Sequence, residues 1–260
     1  NYSITPGQTT TANITAKSLT ISGIIASSKT YNGSTSATLD TSAILYSGLI
    51  PGDIFDGSYT GAFSNANVGT GKTVTITSSY TGADVSNYSI TNQTSTTADI
   101  SAKALTATAS ASNKTYNATN SASVTLTLSG LVGSETLGST NTSTFNNKNV
   151  GTGKTVTVNS ITLANGSNGG LAANYSISAG QTTTANIIAK SLTVSGITAS
   201  NKTYDGSTNV TLTGTAVYSG LVSGDTFNGT YIGAFSDKNA GVGKTVTITS
   251  SYSGADVSNY

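Results

Sequence analysis

The chain has no cysteine, histidine, methionine or tryptophan among its 260 residues. Those absences together exclude disulfides, thiol and imidazole catalysis and the usual zinc ligand sets. All eleven basic residues are lysines, so no guanidinium fork exists to grip a phosphate or carboxylate at two points. Charged residues make up only 8% of the chain and the net charge is +1. That gives no electrostatic footprint for nucleic acid or an anionic membrane. No run approaches eighteen apolar residues, and the first residues lack a basic start followed by an apolar core. Neither membrane insertion nor a signal segment is expected within this sequence. With few carboxylates and no His or Cys, no catalytic, cofactor-binding or metal-binding residues are expected, and an enzyme is the disfavoured class. The lack of oxidisable residues suits the outside of a cell. The lack of disulfides favours a bacterial surface protein over an animal one.

What is present is a period. Asn-Tyr recurs with its tyrosine at Tyr2, Tyr88, Tyr175 and Tyr260, separated by 86, 87 and 85 residues. Lys-Thr-Tyr keeps the same spacing at Tyr31, Tyr116 and Tyr204. A fixed spacing of this length means one domain-sized unit made repeatedly, so function is sought in the array as well as in any pocket. Boundaries are expected after Ala16, Ala102 and Ala189, each followed by a lysine and the next first strand with no Gly or Pro linker. That divides the chain into residues 1–16, the last strand of a preceding repeat, then repeat 1 (17–102), repeat 2 (103–189) and repeat 3 (190–260), which lacks its last strand. Short tethers restrict bending, so a stiff rod or fibre is expected.

Within each repeat apolar and hydroxyl residues alternate. Thr73–Thr77, Thr155–Val158 and Thr245–Thr249 are versions of one half-buried strand, with Val74 and Ile76, Val156 and Val158, and Val246 and Ile248 expected to face cores. Turn signals such as Asn32-Gly33, Pro51-Gly52-Asp53 and Asp205-Gly206 separate such runs. No segment carries helical periodicity. The fold class expected is all-β, a tandem array of small antiparallel β-sandwiches of immunoglobulin-like size. A β-solenoid is the runner-up, but no inner period of twenty to thirty residues supports it. Repeat 2 alone carries an insertion, Leu163 to Ala173, read as a longer surface loop.

Lys202-Thr203-Tyr204-Asp205-Gly206-Ser207-Thr208, followed by Gly220-Leu221-Val222-Ser223-Gly224-Asp225 and Asn239-Ala240-Gly241-Val242-Gly243-Lys244, resembles the YDG-type repeat. Such repeats, with related MBG-type modules, occur in large secreted bacterial adhesins similar to filamentous haemagglutinins. The resemblance spans all three repeats. It departs at Tyr31-Asn32-Gly33 and Tyr116-Asn117-Ala118, and at Ser134-Glu135, which stand where repeat 3 has Asp205 and Gly224-Asp225. It implies an extracellular, cell-surface, all-β stalk or fibre without catalytic residues.

Four motifs admit a functional and a plainer reading. Gly69-Thr70-Gly71-Lys72-Thr73 and Gly151-Thr152-Gly153-Lys154-Thr155 imitate the end of a P-loop, but the upstream glycine is missing and the lysine opens an alternating strand. Tyr31, Tyr116 and Tyr204 could stack on sugars, but one position filled in every repeat suits a buried core or interface tyrosine better. Lys17 with Asp99, and Lys103 with Asn186, match intramolecular isopeptide staples in residue type only. Asp53, Asp84, Asp99, Asp225 and Asp256 lack the close spacing of a calcium loop and read as turn residues.

The leading function is a structural stalk or fibre segment of a bacterial surface adhesin. Its partners are copies of itself or neighbouring repeats end to end, with surface glycans the other candidate. The alternative is a glycan- or matrix-binding module. Residues 9–14 (Thr9, Thr10, Thr11, Ala12, Asn13, Ile14) are expected to donate a strand to repeat 3 of another copy, giving head-to-tail polymerisation.

Overall fold

β-Branched residues alternating with threonine build extended backbone throughout the chain, whose structure, a computed structural model, describes residues 1–260. There is no α-helix. The only helical turns are three short 3₁₀ segments, Val85–Asn87, Ala172–Asn174 and Val257–Asn259, each directly preceding the tyrosine of an Asn-Tyr pair.

Repeat 1 shows the full pattern. Strand Lys17–Ser22 lies between Leu45–Ser47, antiparallel, and Tyr88–Thr91, parallel. A second sheet has the order 29–30, 95–101, 69–81, 56–63, 36–37. There the long strand Gly69–Thr81 pairs antiparallel with both neighbours, while Ser95–Ser101 runs parallel to Lys29–Thr30. Pairing is therefore mixed, and the expectation of a wholly antiparallel topology is corrected. Alternation reports which face a residue takes but not the direction of its neighbour, and the long connections between the parallel partners here are what that arrangement requires. Ile21 from the first sheet and Ile76 from the second meet beside Ile24 in one core, with Tyr46, Phe55, Tyr59 and Tyr80 packed around them.

Repeat 2 repeats these pairings. Lys103–Ala104 runs parallel to Tyr175–Ser176, Lys114–Thr115 parallel to Thr182–Ile188, and Gly151–Asn165 antiparallel to Thr182–Ile188. In repeat 3, Val246–Ser253 pairs with Asn228–Phe235 on one side and has no strand on the other.

The missing neighbour decides the core. Val74, Val156 and Val158 are fully buried and Ile76 nearly so, as alternation requires. Ile248, expected to be buried like them, is 38% exposed, and Val246 is half-buried. Repeats 1 and 2 have a last strand carrying buried Ala98 and Ile100, or Ala185 and Ile187, beside the equivalent residues, and repeat 3 has no such cover. Residues 1–16 are exposed and form no strand.

The chain divides into two compact units that do not coincide with the sequence repeats. One comprises residues 1–105, 130–138 and 164–176, and the other 106–129, 139–163 and 177–260. Each therefore contains parts of two successive repeats and the place where they meet.

Candidate functional site

The recurring landmarks converge at these meeting places. In each repeat a glycine at positive φ (Gly48, +105°; Gly130, +100°; Gly220, +102°) starts a loop that reaches an acid five residues later, at Asp53, Glu135 and Asp225. At Gly48 and Gly220 a Cβ would lie 2.4 and 2.6 Å from the carbonyl oxygens of Ser18 and Ser191, so only glycine fits there. A turn follows in which the acid's amide bonds back to the carbonyl of Ile50, Val132 or Val222. The hydroxyl of the repeat's own Asn-Tyr tyrosine clamps that turn. It accepts from the amide of Ile50, Val132 or Val222 at 3.0, 2.9 and 2.8 Å, and donates to the carboxylate of Asp53, Glu135 or Asp225.

The second carboxylate oxygen serves the preceding repeat. Tyr31, from the Lys-Thr-Tyr of repeat 1, donates to Glu135 Oε1 at 2.6 Å, and Tyr116 of repeat 2 donates to Asp225 Oδ1 at 3.1 Å. In both places the two tyrosine rings meet edge to face, Tyr31 with Tyr175 at 5.4 Å and Tyr116 with Tyr260 at 5.7 Å between centroids. Such pairs add about 0.5–1.5 kcal/mol beyond burial. Tyr31 and Tyr116 are both buried. Burial, then the bond to Glu135, pushes the Tyr31 hydroxyl up to about 12, and burial with the bond to Asp225 raises Tyr116 in the same way.

An asparagine adds a second latch. Asn174 and Asn259, each the last residue of its 3₁₀ turn, are 1% exposed. Their Oδ1 atoms accept the amides of Val68 and Val150 in the preceding repeat at 2.9 and 3.0 Å. Lys148 sits against Asp225 and Asp256 at 3.9 and 3.6 Å, with the Asp225 side chain almost wholly covered. The apolar core of repeat 2, built on Tyr116, Phe145, Val156 and Ile187, continues into Val222 and Tyr260 of repeat 3.

The Lys-Thr-Tyr lysine shapes the loop that presents its tyrosine. Lys29 Nζ donates to Asn32 Oδ1, Ser34 O and Ser36 O. Lys114 donates to Asn117, Thr119 and Ser121, and Lys202 to Asp205 and Ser207. Asn32 and Asn117 accept as Asp205 does, so an amide oxygen suffices and the change from aspartate to asparagine is explained. The lysine, with its ordinary value lowered by burial in repeats 1 and 2, also lies over a phenylalanine, at 5.2 Å from the Phe63 centroid and 5.6 Å from that of Phe145.

The remaining sequence candidates fall elsewhere. Lys72 and Lys154 lie in strands and hold Asn65 and Asn147, and Lys244, just before its strand, holds Asp237. None opens a helix. Asp99 and Asn186 accept the amides of Gly71 and Gly153 instead of facing Lys17 and Lys103. Asp84 and Asp256 cap the amides of Ile54 and Thr226. The insertion in repeat 2 folds back on the acid's loop, with Ser167 Oγ and Thr136 Oγ1 2.8 Å apart. Thr9 to Ile14 belong to no strand and are exposed. Tyr204, in contrast to Tyr31 and Tyr116, is 62% exposed. Sequence reasoning missed the acids as the shared acceptor, although their constant five-residue offset from Gly48, Gly130 and Gly220 was a usable signal.

Fold and junctions define a tandem all-β repeat protein whose successive repeats share hydrogen bonds and core. A family model for the YDG domain matches residues 15–98, 101–185 and 188–260, and the chain belongs to that family. No curated protein and no solved structure matches it.

Proposed function

We propose that this chain is a structural segment, part of the stalk or fibre of an extracellular bacterial surface protein of the adhesin kind, and that it acts by holding folded repeats in series without catalysis. The observation that carries the reading is the recurrence of one contact set at both junctions: Tyr–carboxylate–Tyr, asparagine to valine amide, and ring on ring. Recurrence is what an array built to transmit position or force needs, since each repeat must receive its neighbour in the same way. At both junctions the aromatic and acidic side chains that a ligand site would draw on are committed to these contacts. In particular, Tyr31 and Tyr116 are covered and offer no platform to a sugar.

Single-molecule stretching of the full chain tests the proposal. Repeats that resist load give discrete unfolding steps of roughly 30 nm each, from about 3.5 Å per residue of released chain. Smooth extension without steps overturns the reading. Specific binding on a glycan array, lost in a Tyr204→Ala variant, would replace it with the adhesin-module alternative.

A further inference from the structure

The first and last stretches of repeat 1 run side by side in the same direction. Residues 17–20 pair in parallel with Tyr88–Thr91, and Lys29–Thr30 pair in parallel with residues 100–101, so both ends keep one offset of 71 residues. Asp99 keeps it too, its amide donating to Ser28 Oγ at 3.0 Å. Between the two ladders a side chain takes over from the backbone. Gln93 accepts the Ile24 amide at 3.0 Å and donates to the Ile24 and Ser95 carbonyls at 2.6 and 3.2 Å. Leu19, Ile24 and Ile100, carried on these stretches, are at most 1% exposed, and excluding water strengthens the bonds beside them. The chain enters the repeat at Lys17 and leaves it at Ser101. Because Lys17 lies beside Tyr88 and Ser101 beside Thr30, entry and exit are at opposite ends of the paired stretches. Repeat 2 has the same pairs at its own entry and exit. There Lys103–Ala104 run parallel to Tyr175–Ser176 and Lys114–Thr115 parallel to residues 187–188, with the Asn186 amide on Asn113 Oδ1 at 2.7 Å.

We propose that the two stretches form a shear clamp, a mechanical device inside each repeat and separate from the junctions: tension on the chain draws the entry stretch and the exit stretch past each other along their length. A ladder loaded along its strands has all its bonds strained at once, together with the apolar side chains that flank it. One loaded across its strands gives way bond by bond from its end. Forced unfolding is governed by the unfolding barrier, so the direction of load sets the force at which the repeat yields. Gln93 carries load where the backbone ladder is interrupted. This property deepens the stalk reading and rests on it.

Single-molecule pulling in two directions tests it on the full chain, where the lack of native cysteine makes attachment through introduced thiols specific. Handles at Lys17→Cys and Ser101→Cys load the clamp lengthwise. Handles at Lys17→Cys and Ser86→Cys load the same pairing crosswise, from the end at Tyr88, and all three side chains are exposed. The expected result is a yield force several-fold higher lengthwise than crosswise. Gln93→Ala lowers the lengthwise force and leaves the crosswise force unchanged. Equal forces in the two directions overturn the clamp while leaving discrete steps, and with them the stalk reading, in place. A lengthwise force that Gln93→Ala leaves unchanged also overturns it. The comparison of directions keeps Gln93 in place, so it decides the proposal even where that variant fails to fold. Smooth extension in both directions overturns the clamp and the stalk reading together.

Discussion

Tyr175 uses one hydroxyl twice, accepting from the Val132 amide and donating to Glu135, and Tyr31 then takes the other oxygen of the same acid. A carboxylate surrounded this way depends on every donor. Removing one leaves a poorly solvated charge at a cost of about 1–3 kcal/mol. The phenols carry a pH dependence whose sign follows from the direction of their shifts. Tyr31, pushed up to about 12 chiefly by burial, keeps its proton in the folded chain where the unfolded chain loses it near the ordinary value of 10.0. Its contribution is complete below about pH 10 and is lost as pH rises toward 12. Thermal melts across that window, with tyrosinate absorbance followed in parallel, are expected to show stability falling while Tyr31 ionises. Unchanged stability through pH 12 would contradict the assignment. Backbone strain separates the repeats at one more residue. Ala118 holds φ +59° where repeats 1 and 3 have Gly33 and Gly206. An L-residue pays about 1–2 kcal/mol in that region, so Ala118→Gly is expected to be neutral to stabilising by up to roughly 1 kcal/mol. Gly33→Ala is expected to destabilise, because its Cβ would also crowd Val132 Cγ1 at 3.0 Å. Denaturant midpoints of the two variants check the opposite signs.

Strands were the legible level of this chain. Alternation located Gly69–Thr81, Gly151–Asn165 and Val246–Ser253 and chose the inward residues of the first two. It could not give the parallel pairing of Lys17–Ser22 with Tyr88–Thr91, because a period of two is the same whichever way the neighbour runs. Nor could it bury Ile248, since burial needs the adjoining strand as well as the pattern. A paired substitution measures that dependence. Val156→Ala, in a closed core, is expected to cost about 2–3 kcal/mol, and Ile248→Ala, on an open edge, under about 1 kcal/mol. Equal losses in chemical denaturation would mean that the edge is as well packed as the core. The junction was half legible. The tyrosines and asparagines announced themselves by spacing, and Tyr31 and Tyr116 were readable as buried interface residues. Their acceptor was hidden because it lies about a hundred residues further along, and because its identity alternates between aspartate and glutamate.

Over the whole molecule the sequence repeats and the compact units are offset. The family matches follow the repeats at 15–98, 101–185 and 188–260. The compact units instead gather parts of two repeats around each junction, which is where Tyr31, Glu135 and Tyr175, and Tyr116, Asp225 and Tyr260, come together. Contacts across a junction therefore belong to the folded core as fully as contacts inside a repeat, and neighbouring repeats should stabilise each other. The most direct measurement of that claim is a double-mutant cycle on the full chain, Tyr31→Phe and Glu135→Gln alone and together, read by equilibrium unfolding. The account predicts a coupling energy of roughly 1–3 kcal/mol between residues of different repeats. Simple additivity, with coupling below about 0.5 kcal/mol, would mean that the repeats merely touch and that the junction is not what joins them.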